Sequence, residues 1–231
     1  MLMDRSTEWL ELPPITQGIK PNRLLIFLPG ESSAELFTPV AIAWQLKFPS
    51  AICIILQPPL RNSLWWGRGH SRRDAAPACA REVARNVQHH QQAFGLLASQ
   101  TALIGFSQGG TVALELARGT RPELDADGTG LDLPVCSIVV AYAAQLARPL
   151  SARESVVCSV HLIHGDLDHR VPSIYGQQAY KSLKAAGADV TLDLLADSTH
   201  TIGQDGVIVG TMRAMQSIFR GRRKGQVPTL H

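Results

Sequence analysis

The stretch Thr101-Ala-Leu-Ile-Gly-Phe-Ser107-Gln-Gly-Gly110 joins an apolar, strand-like run to a helical pattern through the motif G-x-S-x-G. A strand-to-helix turn this sharp exposes its serine at the edge of a sheet. The turn requires glycine two residues before and after the serine, because side chains at those places would collide. The alternative is a glycine-rich turn whose serine only caps the following helix. The context, directly after a strand and directly before a helix, predicts Ser107 as a nucleophile.

Short apolar runs followed by longer helical patterns recur along the chain. The runs have Val, Ile and Leu at odd and even positions alike, so both faces of each strand are apolar. This is typical of parallel strands covered on both faces. They are Arg23–Leu28, Ala51–Leu56, Thr101–Gly105, Val135–Tyr142, Val157–Ile163 and Val190–Leu195. The helical patterns are Ala34–Lys47, Arg73–Leu97, Gly109–Arg118, Ser173–Ala186 and Val207–Phe219. This alternation predicts an α/β fold, with a mostly parallel open sheet of six to seven strands, helices on both faces and no large lid domain.

Length and composition predict a single domain over residues 1–231, with a peripheral segment at 1–20 and a basic, flexible tail at 221–231. The chain is 45% hydrophobic and 18% charged, which argues against a disordered or coiled-coil protein. No apolar run approaches the roughly 18–20 residues that span a bilayer. The net charge of +3 is too small to indicate nucleic acid. Four dispersed cysteines without a CxxC pair, and no visible export signal, predict a cytoplasmic protein without a metal site.

A serine nucleophile needs a base that accepts its proton, and in this type of sheet the partners follow in the order Ser, acid, His. Three histidines lie beyond a plausible acid: His169, His200 and His231. His231 is the last residue, and His169 is adjacent in sequence to the acidic residue it would have to contact. His200, between the last strand and the last helix, is therefore the predicted base.

The acid is expected directly after the preceding strand, in Ile163-His-Gly-Asp-Leu-Asp-His-Arg-Val-Pro172. Asp168 is favoured over Asp166, because the chain turns at Gly165 and the following residues reach the edge of the loop. Asp166 is the alternative and suits a turn-forming role. His164 is predicted to pack at the end of the strand.

An oxyanion hole requires two backbone N–H groups that point at the tetrahedral intermediate. One is predicted to come from Gln108, the residue after the nucleophile. The other is predicted to come from Glu31, in the loop that follows the run Arg23–Leu28.

Three segments together resemble the carboxylesterase/phospholipase family of α/β-hydrolases, which includes acyl-protein thioesterases. They are Ala102-Leu-Ile-Gly-Phe-Ser-Gln-Gly, His161-Leu-Ile-His-Gly-Asp-Leu-Asp and Gly187-Ala-Asp-Val-Thr-Leu-Asp-Leu. The likeness runs from about residue 23 to about residue 219. It implies the α/β-hydrolase fold, a triad of Ser107, Asp168 and His200, and hydrolysis of esters or thioesters without a metal or cofactor.

The chain departs from the family pattern at two places that bear on the site. The oxyanion loop reads Pro29-Gly30-Glu31-Ser32-Ser33 where the family has His-Gly-x-Gly-Asp. A carboxylate near a developing oxyanion is repulsive, so the Glu31 side chain is expected to point away or to pair with an arginine. The second departure is Gly67, where the family has an aspartate after a Trp-Phe pair that lines the acyl pocket. Trp65-Trp66 stands at the place that matches this pair. This pair, Gly30 and Val171 are the predicted substrate contacts.

Aromatic and basic residues occur together in the segment from Arg61 to Arg73, which contains four arginines. This composition has three interpretations: solvated arginines beside a partly buried tryptophan, a nucleic-acid contact, and recognition of a substrate with a carboxylate or phosphate near its acyl group. The second basic cluster, Arg220 to Lys224, is expected to be solvated rather than to contact a membrane surface or nucleic acid.

These residues predict a serine hydrolase that cleaves carboxylic esters with short-to-medium acyl chains through an acyl-enzyme intermediate. Its expected substrate is a small-molecule or acyl-carrier ester, with no nucleic-acid partner and no membrane span. An acyl-protein thioesterase or a lysophospholipase is the alternative within enzymes. The altered loop Pro29–Ser33 leaves a further alternative, a non-catalytic homologue that only binds a ligand. A homodimer is also left open.

Overall fold

The computed structural model describes residues 9–16, 18–60, 62–67, 69–119, 134–151 and 154–225, without the side chains of residues 222–225. The strands are β1 (Trp9–Leu12), β2 (Arg23–Leu28), β3 (Ala51–Leu56), β4 (Thr101–Phe106), β5 (Arg118–Gly119), β6 (Ile138–Tyr142), β7 (Ser155–Val156), β8 (Ser159–Gly165) and β9 (Val190–Leu195). The α-helices are α1 (Ala34–Gln45), α2 (Arg72–Phe94), α3 (Gln108–Leu116), α4 (Ser173–Ala185) and α5 (Gln204–Gly225). None of these helices is long and apolar enough to cross a bilayer.

Seven of the strands form one sheet in the order β1-β3-β2-β4-β6-β8-β9. The six predicted strands pair in parallel, which confirms the predicted sheet. The seventh, β1, pairs antiparallel with β3 and lies within the segment that was expected to be peripheral. Its four residues alternate between exposed and half-buried, so β1 covers the edge of the sheet without adding to the fully buried layer. Strands β5 and β7 form a separate two-stranded ribbon.

Helices cover both faces of the sheet, as the strand composition predicts. Along β2 the side chains alternate between two cores: Leu24 and Ile26 face α2, α3 and α4, whereas Phe27 faces α1 and α5. All six residues of β3 are buried, as expected for a strand covered on both sides. Helix α5 continues to Gly225, into the segment expected to be a flexible tail, and residues 226–231 lie outside the described residues.

One buried histidine connects β8 to its neighbours. His161 is 0% exposed. Its Nδ1 lies 2.8 Å from the Thr191 hydroxyl oxygen on β9, and its Nε2 lies 2.9 Å from the Ser217 hydroxyl oxygen on α5. A neutral ring satisfies both contacts, because a hydroxyl can donate or accept. Burial lowers the pKa of His161 from 6.5 to about 4.

The buried His161 predicts a loss of stability in acid. His161 takes up a proton near pH 6.5 in the unfolded chain but only near pH 4 in the folded chain. The free energy of unfolding therefore decreases as the pH is lowered from 6.5 to 4. The full window corresponds to about 3 kcal/mol. Urea unfolding at intervals from pH 7 to pH 4 measures this, and His161→Gln should remove that part of the slope. His70→Gln, at an exposed position just before α2, is the control that keeps the slope. Parallel profiles for the wild type and His161→Gln would contradict the assignment.

Candidate active site

The serine of the G-x-S-x-G motif occupies the junction between β4 and α3. Ser107 has φ 53° and ψ −115°, a conformation that L-residues rarely adopt. A Cβ on Gly105 would lie 2.5 Å from the carbonyl oxygen of Gly109, and a Cβ on Gly109 would lie 2.2 Å from the carbonyl oxygen of Leu28. Both positions therefore require glycine, because backbone atoms occupy the space that a side chain would need.

His200, in the loop after β9, lies between the serine and an aspartate. Its Nε2 is 3.1 Å from Ser107 Oγ, and its Nδ1 is 2.7 Å from Asp168 Oδ2. Because a carboxylate oxygen accepts, the Nδ1–H group donates, which leaves Nε2 free to accept the serine hydroxyl proton. The ring of Phe106 packs against the imidazole with its centroid 4.8 Å away. The three residues predicted from the sequence are therefore brought into one hydrogen-bonded series.

Asp168 is held by its own loop. It is 3% exposed, and its Oδ1 accepts the backbone N–H groups of Arg170 at 2.9 Å and Val171 at 2.8 Å. Three donors thus converge on one buried carboxylate and fix its orientation. Asp166, the alternative acid, is exposed and is not part of the series. His169 is also exposed, and His231 lies outside the described residues.

His164 supports the same loop from the end of β8. It is buried, and its Nε2–H group donates to the carbonyl oxygen of Val171 at 2.6 Å. The same nitrogen lies 3.4 Å from Asp168 Oδ2. Burial lowers the pKa of His164, which favours a neutral ring. His164 is buried at the end of the strand, where the sequence predicted a packing residue. It also stabilises the loop that contains Asp168 through its hydrogen bond to Val171.

The loop after β2 passes directly beside Ser107. A Cβ on Gly30 would lie 3.2 Å from Ser107 Cβ, so glycine allows this loop to approach the serine. The carboxylate of Glu31 forms an ion pair with the Arg170 guanidinium, as expected for an acidic side chain near a developing oxyanion. Glu31 and Gln108, the predicted sources of the oxyanion donors, both line the cavity that contains Ser107.

The two adjacent tryptophans occupy different environments. Trp66 lines the cavity together with Val171, as predicted for substrate contacts. Trp65 is 5% exposed and packs in the core instead. Its indole N–H donates to the Pro29 carbonyl at 2.7 Å, and its backbone N–H donates to Gln108 Oε1 at 3.0 Å. Trp65 therefore links the two segments from which the oxyanion donors are predicted, a role that no sequence signal indicated.

The cavity beside the serine has a volume of about 200 Å³. Three charged residues line it: Glu31, Arg72 and Arg170. Among the described residues no group of three or more His, Cys, Asp or Glu side chains is placed to hold a metal ion. The site therefore combines the hydrogen-bonded series of Ser107, His200 and Asp168 with a small cavity that has a surplus of positive charge.

Residues 68–213 match the family model described as Phospholipase/Carboxylesterase. The chain belongs to the phospholipase/carboxylesterase family. This confirms the resemblance inferred from the motifs and places the chain in a family of carboxylic ester hydrolases.

Individual relatives agree with this family. The motifs also resemble Esterase YpfH of Escherichia coli (strain K12), and that resemblance is confirmed at 35% identity over 116 residues, or 50% of this chain. The match spans 44% of YpfH, less than half of its length. The crystal structure of esterase PE8 is similar with a TM-score of 0.75 and 25% identity, covering 90% of this chain and 97% of PE8. The Bacillus cereus carboxylesterase shares the fold with a TM-score of 0.70 and 14% identity, over 93% and 96% of the two chains.

The close contact at Gly109 predicts a large effect of one added methyl group. Gly109→Ala should lower the free energy of unfolding by about 3 kcal/mol, because the carbonyl of Leu28 cannot move aside as a flexible side chain would. Gly221→Ala is the matched control. Nothing lies within 4 Å of a Cβ there, and alanine in α5 should stabilise the protein by about 0.5–1 kcal/mol. Urea unfolding measures both variants, and equal stabilities would contradict the packing argument.

Proposed function

We propose that this protein is a serine hydrolase that cleaves carboxylic esters through Ser107, His200 and Asp168 by way of an acyl-enzyme. The supporting observation is the series of contacts from Asp168 Oδ2 to His200 Nδ1 at 2.7 Å and from His200 Nε2 to Ser107 Oγ at 3.1 Å. A triad is recognised by this geometry and by the roles that it permits, and the family assignment supports the same reaction class.

In the first half of the reaction the Ser107 hydroxyl attacks the ester carbonyl carbon while His200 Nε2 takes its proton. Asp168 accepts a hydrogen bond from Nδ1, which holds the ring in the reactive tautomer and stabilises its positive charge. The tetrahedral intermediate then collapses, the bond from the carbonyl carbon to the alcohol oxygen breaks, and His200 returns its proton to the leaving alcohol. The products of this half are the free alcohol and acyl-Ser107.

In the second half, water takes the place of the alcohol. His200 Nε2 removes a proton from the water as the water oxygen attacks the acyl carbon. The new intermediate collapses, the bond from the acyl carbon to Ser107 Oγ breaks, and His200 returns its proton to Oγ, which releases the carboxylic acid and restores Ser107. In both halves we assign the oxyanion to the backbone N–H groups of Gln108 and Glu31. The amide of Gln108 lies at the positive end of α3, and the ion pair with Arg170 offsets the negative charge of the Glu31 side chain.

The size of the cavity is consistent with a substrate that has a small acyl group. Its volume of about 200 Å³ is below the roughly 300–1,000 Å³ that is typical of pockets for drug-sized ligands. We therefore propose small-molecule esters with short-to-medium acyl chains as substrates. Four free cysteines favour a reducing compartment, so we place the enzyme in the cytoplasm.

A series of p-nitrophenyl esters from acetate to palmitate tests this function. The wild type should hydrolyse the short members best, and Ser107→Ala should lower kcat by about 10⁶-fold, to the limit of detection. An optimum at palmitate would replace the short-chain proposal with a lysophospholipase or an acyl-protein thioesterase. Activity retained by Ser107→Ala, or no turnover of any ester by the wild type, would refute the serine esterase.

The choice of acid is tested by two matched substitutions in one loop. Asp168→Asn should lower kcat by about 10⁴-fold, because an amide no longer selects the tautomer of His200 that can accept the serine proton. Asp166→Asn removes the same charge two residues away, at an exposed position, and should leave kcat within about twofold of the wild type. Comparable losses in the two variants would show that His200 does not depend on Asp168.

A further inference from the structure

One arginine of the segment from Arg61 to Arg73 points to a ligand. Arg72 is the first residue of α2 and lines the cavity that contains Ser107. Its Nε is buried, and no hydrogen-bond acceptor contacts it among the described residues. Its neighbour Arg73 is exposed, and Arg61 and Arg68 lie outside the described residues.

No contact among the described residues offsets the cost of placing the positive charge of Arg72 here. A buried N–H of a cation without an acceptor costs free energy. A positive charge in the first turn of a helix also opposes the helix dipole, which favours anions there. Asp74 supplies an acidic side chain in that turn but forms no described ion pair with Arg72. The free enzyme thus holds an unsatisfied cationic donor beside its nucleophile.

The other charges of the cavity leave this cation in excess. Glu31 is the only acidic residue among the described residues that line the cavity, and its carboxylate is paired with Arg170. Asp168, the buried carboxylate of the series, is occupied by His200 and by two backbone N–H groups. Arg72 is therefore the charged group of the cavity that has no partner in the described structure.

We propose that Arg72 binds a carboxylate of the substrate, so that the preferred substrates are esters carrying a carboxylate a few bonds from the scissile carbonyl. This inference rests on the proposed ester hydrolase function and names its substrate class. Ser107 and Arg72 line the same cavity, and a sphere with its volume is about 7 Å across, which is comparable with the length of a four-carbon diacid monoester. A guanidinium binds a carboxylate through two parallel N–H···O bonds, which fixes orientation as well as charge.

Two pairs of esters test the proposal, each pair matched in shape and different in charge. Monoethyl succinate and ethyl 4-methylpentanoate place the carboxylate, or an isopropyl group, on the acyl side. Butanoyloxyacetate and isobutyl butanoate place the same two groups on the alcohol side. Initial rates in a pH-stat give kcat/KM for each ester, and the quantity compared is the ratio of the anionic to the neutral ester within one variant. The pair with the larger ratio identifies the side on which the carboxylate binds.

In Arg72→Gln the ratio for that pair should fall about 30-fold. In Arg72→Lys, which keeps the charge but loses the planar fork, it should fall less, about fivefold. Arg73→Gln removes one positive charge from the adjacent exposed position and should keep the wild-type ratio.

Each other result has a distinct meaning. If the wild type hydrolyses the neutral esters but no ratio depends on Arg72, the carboxylate site is refuted and the ester hydrolase stands. If Arg73→Gln lowers the ratio as much as Arg72→Gln, general electrostatic attraction replaces a specific contact, and the proposal is wrong. If the wild type hydrolyses none of the four esters or the p-nitrophenyl series, the proposed function fails and the inference fails with it.

Discussion

Helix α3 meets the end of strand β2 with no side chain between them. A Cβ on Gly109 would overlap the carbonyls of both Leu28 and Pro29, so the two backbones touch directly. This contact draws the first turn of α3 toward the loop that holds Gly30, and it forces the tight passage through Ser107 at positive φ. The strain of that residue is sustained by the sheet around it, because β4 lies between β2 and β6. The position of the nucleophile is thus a consequence of backbone packing.

The remaining site residues are fixed by hydrogen bonds between loops. Trp65 connects the loop after β2 to the first residue of α3, and His164 with two backbone amides fixes the loop of Asp168. The ion pair between Glu31 and Arg170 then joins the loop after β2 to the loop of Asp168, and both residues line the cavity. Each loop is held by contacts to another loop as well as by its own strand, and these contacts fix the geometry of the site.

Much of this arrangement could be predicted from the sequence, because it depends on local rules. Strands covered on both faces leave runs of Val, Ile and Leu, and a sharp turn leaves glycines around Ser107. The order of motifs along the chain was enough to choose Asp168 and His200 for the series that the structure assembles. Strand β1 was missed because a four-residue edge strand has neither a long apolar run nor full burial. The sequence also does not predict that Trp65 is buried while Trp66 lines the cavity, since the packing of the loops determines which indole is buried.

The members of the series are distant in sequence. His200 is 32 residues from Asp168 and 93 from Ser107, and each follows a different strand of the sheet. Bringing them together requires β4, β8 and β9 to be in register, with β6 between the first two. No fragment that ends before β9 contains His200, and no local element brings two members of the series together. Such long-range parallel pairing forms slowly. The serine therefore becomes reactive late, only after the strands from β4 to β9 have paired in the sheet. During refolding, the appearance of serine reactivity therefore indicates that β9, the last strand, has paired with the sheet.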